Sequence, residues 1–173
     1  MTSTDTTTDR VGPPLTACER EMLRGFLDYH RATLALKCDG LSDGDLRRRS
    51  MPPSTLSLLG LVRHMAEVER AWFRRAINGE DVPLVWSDEG DFQVAYDASA
   101  ATRSSAFAAW QAEVEHSRRI EAQAASLDVT GHQARSGDEV SLRLVMLHVF
   151  QEYARHNGHA DLLREGIDGT VGP

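Results

Sequence analysis

Lysine is almost missing from this chain: Lys37 stands alone beside 18 arginines. Positive charge is in deficit as a whole, with 26 acids against 19 bases and a net charge of −7. A chain of that balance has no surplus of cations to displace the counterions of a phosphate backbone, so nucleic acid is not an expected partner. Cysteine is equally sparse. Cys18 and Cys38 are the two thiols, too few for a disulfide framework and not spaced as a CxxC metal knuckle. They read as incidental reduced thiols of a cytoplasmic protein. No apolar run approaches the roughly 20 residues that span a bilayer, so no membrane contact is expected. The opening MTSTDTTTDRVGPP lacks the apolar core of a secretory signal. No stretch alternates apolar and polar residues with period two, and no internal repeat is visible.

What remains is ordinary globular material. A chain of 173 residues with 41% hydrophobic and 26% charged residues fits one soluble domain that buries its own core. Residues 1–14, threonine-rich and closed by Pro13 and Pro14, read as a disordered tail preceding a domain over 15–173. Four amphipathic stretches follow, over 16–37, 55–78, 99–125 and 140–165, with a short helical turn within 41–49. Thr16 with Glu19, and Ser54, are the expected N-terminal caps, and Gly40, Gly79 and Gly166 the expected stops. Residues 80–98 and 127–139 read as irregular connections. Four long amphipathic helices predict an all-α, up-down-up-down four-helix bundle.

The chemistry concentrates on the fourth helix, LRLVMLHVFQEYARHNGHADLLRE. At about 100° per residue, Val145, His148, Val149, Glu152, His156, His159 and Leu163 share one stripe. Glu152 and His156, four apart, therefore project side by side among apolar neighbours. A carboxylate and an imidazole on an inward face need a compensating partner. His64, at the edge of the apolar stripe of LGLVRHMAEVERAWF, is placed to meet them across the bundle. Two readings follow from spacing alone: a hydrogen-bonded Glu–His pair, or a divalent metal site. In the second reading two imidazoles and one carboxylate favour zinc, with coordination positions left open. His30 is a lesser candidate on the first helix, His148 reads as packing, and Glu67 and Glu69 as partners of His64 or of arginines.

Three segments carry a family resemblance: FLDYHRATLALKCDGLSDGDLRRR, PSTLSLLGLVRHMAEVERAWF and LRLVMLHVFQEYARHNGHADLLREGIDG. Over about residues 19–170 the chain resembles the DinB/YfiT-like superfamily of four-helix metalloproteins. Within it the chain is similar to the branch of mycothiol S-transferases and the N-terminal domain of mycothiol-dependent maleylpyruvate isomerase. Glutamate four residues before the last ligand histidine, here Glu152, and HNGH in place of an HRGQ-type sequence carry the branch assignment. The resemblance implies His64, Glu152 and His156 as metal ligands. Arg155 and His159, beside them, are expected to contact the co-substrate. The implied function is a metal-dependent S-transferase that activates a small thiol, mycothiol, as a metal-bound thiolate for attack on a small electrophile. The competing readings are metal-dependent hydrolysis of a small substrate and a non-catalytic metal-binding stress-response bundle. A monomer or homodimer is expected.

Overall fold

The structure is a computed structural model and describes residues 10–87 and 90–172. The first helix, α1, spans Glu19–Lys37, with Glu19 and Glu21 in its first turn and Lys37 in its last, each charge favourably placed on the helix dipole. It opens after Cys18, not at Thr16. A Cβ on Gly25 would lie 2.6 Å from Pro14 Cδ, so the chain doubles back onto α1 and the residues before Cys18 are spent on that reversal. Residues 1–9 of the expected tail lie outside the described residues. A five-residue helix, α2, covers Asp43–Arg47, within the expected helical turn, and opens on a Ser42–Asp45 capping box.

Helix α3 spans Leu58–Glu69 and continues as a π-helical stretch over Arg70–Ile77. Its cap is Ser57, whose hydroxyl accepts from Gly60 N at 3.1 Å, while Ser54 instead accepts from Leu56 N. Helix α4 spans Arg103–Gln123 behind a Thr102–Ser105 capping box. Within 127–139 the chain forms a hairpin rather than an irregular loop. Its strands β1, Thr130–His132, and β2, Glu139–Ser141, pair antiparallel with Gly131 opposite Val140. Three-residue strands are too short to show alternation. Helix α5 spans Leu142–Asp168, capped by Ser141 and ended by Gly169 at φ 78°. Gly166 lies inside it, where a Cβ would sit 3.0 Å from Ser50; the glycine serves close packing there, not termination.

The bundle is all-α with four long helices, as expected, but the helix directions correct the expected order. On α1 and α4, Arg24 meets Glu121 and Asp28 meets Arg118, so these helices are antiparallel. On α1 and α5, Phe26 packs on Phe150 and Lys37 pairs with Asp161, so these run parallel. His64 and Trp72 of α3 face His156 and His148 of α5, again antiparallel. The order is up-down-down-up. The reason is the segment between α3 and α4, which travels back along the whole of α3. Pro83 O accepts from Arg70, the amides of Val85 and Trp86 donate to Glu67, Ala95 O accepts from Arg63, and Tyr96 O lies against Gly60. A long crossover of this kind lets two successive helices run the same way.

The apolar core joins all four helices through Leu34, Leu59, Met65, Phe73, Trp110, Val114, Met146, Val149 and Leu163. A polar network crosses it. Arg31 donates to both oxygens of Glu69 at 2.9 and 3.0 Å, Tyr153 Oη donates to Glu69 at 2.8 Å, and Trp110 Nε1 donates to Tyr153 Oη at 2.7 Å. Every polar atom named in it has a partner, which is what allows an ion pair to sit in the core. Among the described residues no helix is long and apolar enough to cross a membrane.

Candidate metal centre

Helix periodicity puts Glu152 and His156 one turn apart on the inner face of α5, and the antiparallel crossing of α3 brings His64 opposite them. Glu152 Oε2 lies 3.6 Å from His64 Nε2 and 3.4 Å from His156 Nε2. The two imidazole centroids are 4.7 Å apart, and one donor atom from each residue lies within 4.8 Å of the others. All three side chains are buried or nearly so. Neither ring nitrogen of His64 has a hydrogen-bond partner. That is costly for a buried imidazole unless something else takes its lone pair. Ligand atoms about 2.0–2.1 Å from a tetrahedral ion stand roughly 3.4 Å apart, close to the two nitrogen–oxygen separations found here. The donor set, its spacing and the orphaned nitrogens of His64 fit a divalent cation.

The family model described as Mycothiol-S-transferase matches residues 22–169. The chain belongs to the mycothiol-S-transferase family. That span contains all three residues of the cluster. The crystal structure of a conserved protein from Enterococcus faecalis superposes with a TM-score of 0.68 at 13% identity, covering 90% of this chain and 100% of that one. At that identity the likeness concerns the fold. No curated protein matches the chain.

In this mycothiol-S-transferase family member, protonation states favour a cation. Contacts with His156 and then His64 hold the Glu152 carboxyl far below the usual carboxylate range, against the pull of burial. Burial is the main cause of the lowered pKa of His156, and of His148 and His159. The cluster therefore presents an ionised carboxylate beside a neutral His156, the states that a metal ion requires.

Arg155 and His159 sit behind the cluster. The Arg155 guanidinium bonds Glu152 Oε1 and leaves Oε2 facing the two imidazoles. His159 Nδ1 is 3.3 Å from His156 Nδ1, so it contacts the nitrogen remote from the carboxylate. His148 stands in front, its Nε2 4.0 Å from Glu152 Oε1 and its ring against Trp72 at 4.2 Å. His30 is elsewhere, in the seam between α1 and α5, where Asn157 Nδ2 donates to its carbonyl. Glu67 and Glu69 do not hydrogen-bond His64; Glu67 anchors the crossover and Glu69 belongs to the core network. His132 is exposed, and His116 is half-buried beside Arg119.

Two members of the cluster, His64 and Glu152, line a pocket of about 790 Å³ together with His148, Trp72, Phe92 and Arg135. Sequence reasoning missed most of that wall, and it missed Tyr96. The Tyr96 ring stacks on His64 at 4.5 Å and 17°, and burial pushes its hydroxyl up to about 12. Tyr96 comes from the crossover, whose path is set by Glu67 and Arg63, and no periodicity announces it. Trp72 belongs to that wall.

Proposed function

We propose that the protein is a metal-dependent thiol S-transferase using mycothiol, with His64, Glu152 and His156 holding a divalent ion, zinc by ligand type. The observation that carries this reading is a buried His64 with two unpartnered nitrogens, facing a carboxylate and a second imidazole beside an open pocket. The family match supports mycothiol as the thiol. When bound, the ion would lower the pKa of a thiol that reaches it, so that a nucleophile is present at neutral pH.

The chain's own residues do the rest. Arg155 fixes the Glu152 rotamer by holding Oε1. His159 orients His156 from the far side of the ring, and Tyr96 does so for His64 by stacking. Such supporting contacts decide how firmly a ligand set is held. His148 Nε2, on the pocket wall and neutral because burial lowers its pKa, receives the thiol proton. Trp72 and Phe92 supply an apolar wall that holds the electrophile beside the sulfur and excludes water. The carbon–sulfur bond forms as the leaving group departs with its electron pair; for an activated alkene, the electrons pass to the neighbouring carbon, which is then protonated.

The test is to incubate zinc-loaded protein with mycothiol and a panel of alkylating and Michael-acceptor electrophiles, following S-conjugates by mass spectrometry. Conjugation should require thiol and zinc and should vanish in Glu152→Ala. Hydrolysis of a test ester without thiol, with no accelerated conjugation across the panel, overturns the proposal in favour of a hydrolase.

A further inference from the structure

Away from the ligand cluster, the pocket carries positive charge that has no ion-pair partner among the described residues. Among the described residues, every arginine side chain except those of Arg49, Arg75 and Arg135 has a hydrogen bond, an ion pair or a ring contact. Two of those three, Arg75 and Arg135, line the same pocket as His64 and Glu152. They reach it from different elements. Arg75 lies in the π-helical stretch that continues α3, and Arg135 lies in the turn between β1 and β2. The hairpin is held against that stretch, since a Cβ on Gly131 would run into the backbone of Ala76. The two guanidinium groups are therefore brought to one pocket by tertiary packing, not by neighbourhood in the sequence.

Neither arginine forms an ion pair with a carboxylate of the same lining among the described residues. Glu152 is engaged by Arg155, and Asp91 Oδ1 accepts from Gln93 N at the start of the Phe92–Tyr96 turn. Along α3 the pocket runs from His64 past Val68 and Trp72 to Arg75. Eleven residues at about 1.5 Å each place the two ends roughly 16 Å apart along the axis. Between them stand the rings of Trp72 and His148, 4.2 Å apart, with the indole offering an apolar face. A guanidinium is the group best matched to a carboxylate, through two parallel N–H···O bonds.

We infer that Arg75 and Arg135 form an anion subsite, and that the electrophile is a carboxylate-bearing molecule with an apolar body. The body lies on Trp72, the carboxylate reaches the arginines, and the reactive carbon points toward Glu152 and His64. The inference rests on the transferase reading for the word electrophile, but the anion subsite stands on the arginines alone.

Two matched probes test it: 4-chloro-3-nitrobenzoate and its methyl ester, which differ in one negative charge. Binding of each to zinc-loaded protein is measured by titration calorimetry without thiol, in the parent, Arg75→Gln, Arg135→Gln and the double variant. Zinc content and melting temperature are checked in each. The carboxylate should bind at least about tenfold tighter than the ester, and each single variant should lose about tenfold, as for a hydrogen bond to a charged group. The double variant should bind both probes alike. Equal binding of the two probes by the parent, or unchanged carboxylate binding in the double variant, overturns the subsite; the second result would mean that the carboxylate sits on the zinc. Mycothiol is then added, and displacement of chloride by sulfur is followed by mass spectrometry. Conjugation with no arginine-dependent binding removes this inference and leaves the transferase. Arginine-dependent binding with no conjugation of either probe leaves the subsite, and, joined to a failure across the alkylating and Michael-acceptor panel, removes the transferase.

Discussion

Replacing His64 by phenylalanine should make the metal-free protein more stable while removing its response to metal. Both His64 nitrogens are buried without a hydrogen-bond partner, and an unsatisfied buried polar group costs about 1–3 kcal/mol. Phenylalanine keeps a flat ring against Tyr96, at present 4.5 Å away, and has nothing to leave unpaired. Glu152 retains Arg155 and His156 as partners, so its charge is not stranded. The expected gain in the chelated protein is about 1–3 kcal/mol. For a chain of this length that is roughly 2–12 °C in melting temperature. In the parent, by contrast, an ion bridging α3 and α5 at a hundred times its dissociation constant adds about 2.7 kcal/mol. The assay is urea and thermal unfolding of both proteins, chelated and zinc-loaded. If the chelated phenylalanine variant is less stable than the chelated parent, or if zinc stabilises both equally, the argument that His64 is held in a metal-competent but internally unfavourable state is refuted.

Three further outcomes are expected. Glu69→Gln strands the Arg31 charge in the core with only the exposed Asp28 beside it, costing about 3–5 kcal/mol. The double change Arg31→Met with Glu69→Leu should recover much of that in urea denaturation, and a single-variant loss below about 1 kcal/mol contradicts the network. Because burial lowers the His156 pKa, its protonated form competes with metal only below the ordinary imidazole value of about 6.5. Zinc affinity measured from pH 8 to 5 should hold through that value and fall below it, and a loss centred at or above it contradicts the depressed pKa. Gly131→Ala pushes a methyl into the Ala76 backbone and should cost about 1–3 kcal/mol as overpacking, with faster amide exchange over residues 130–141; unchanged exchange would mean that the hairpin does not rest on α3.

The parts of this molecule legible in the sequence are those governed by helix period. The four long helices, the inward face of α5 with Glu152 and His156, and the place of His64 at the edge of an apolar stripe follow from spacing, and the resemblance joins the three as one ligand set. The family match over residues 22–169 agrees with the resemblance carried by the same segments. What spacing leaves out is set by tertiary contacts. The direction of α4 depends on a crossover pinned by Glu67, Arg63 and Arg70, and side chains that anchor a distant backbone leave no pattern. The same crossover delivers Tyr96 to His64. The hairpin rests on strands too short to alternate, and Arg135 reaches the pocket only because Gly131 permits contact with Ala76. Caps were offset for local reasons: Ser54 spends its hydroxyl on Leu56, and Thr16 lies in the reversal that packs Pro14 against Gly25.

The most direct test of the central claim is the absorption spectrum of cobalt-substituted protein titrated with mycothiol. The account predicts one cobalt per chain, lost in Glu152→Ala and His156→Ala, and a sulfur-to-cobalt charge-transfer band that grows to saturation with one equivalent of thiol. A parent protein that binds cobalt at this cluster yet develops no such band with saturating mycothiol would contradict it.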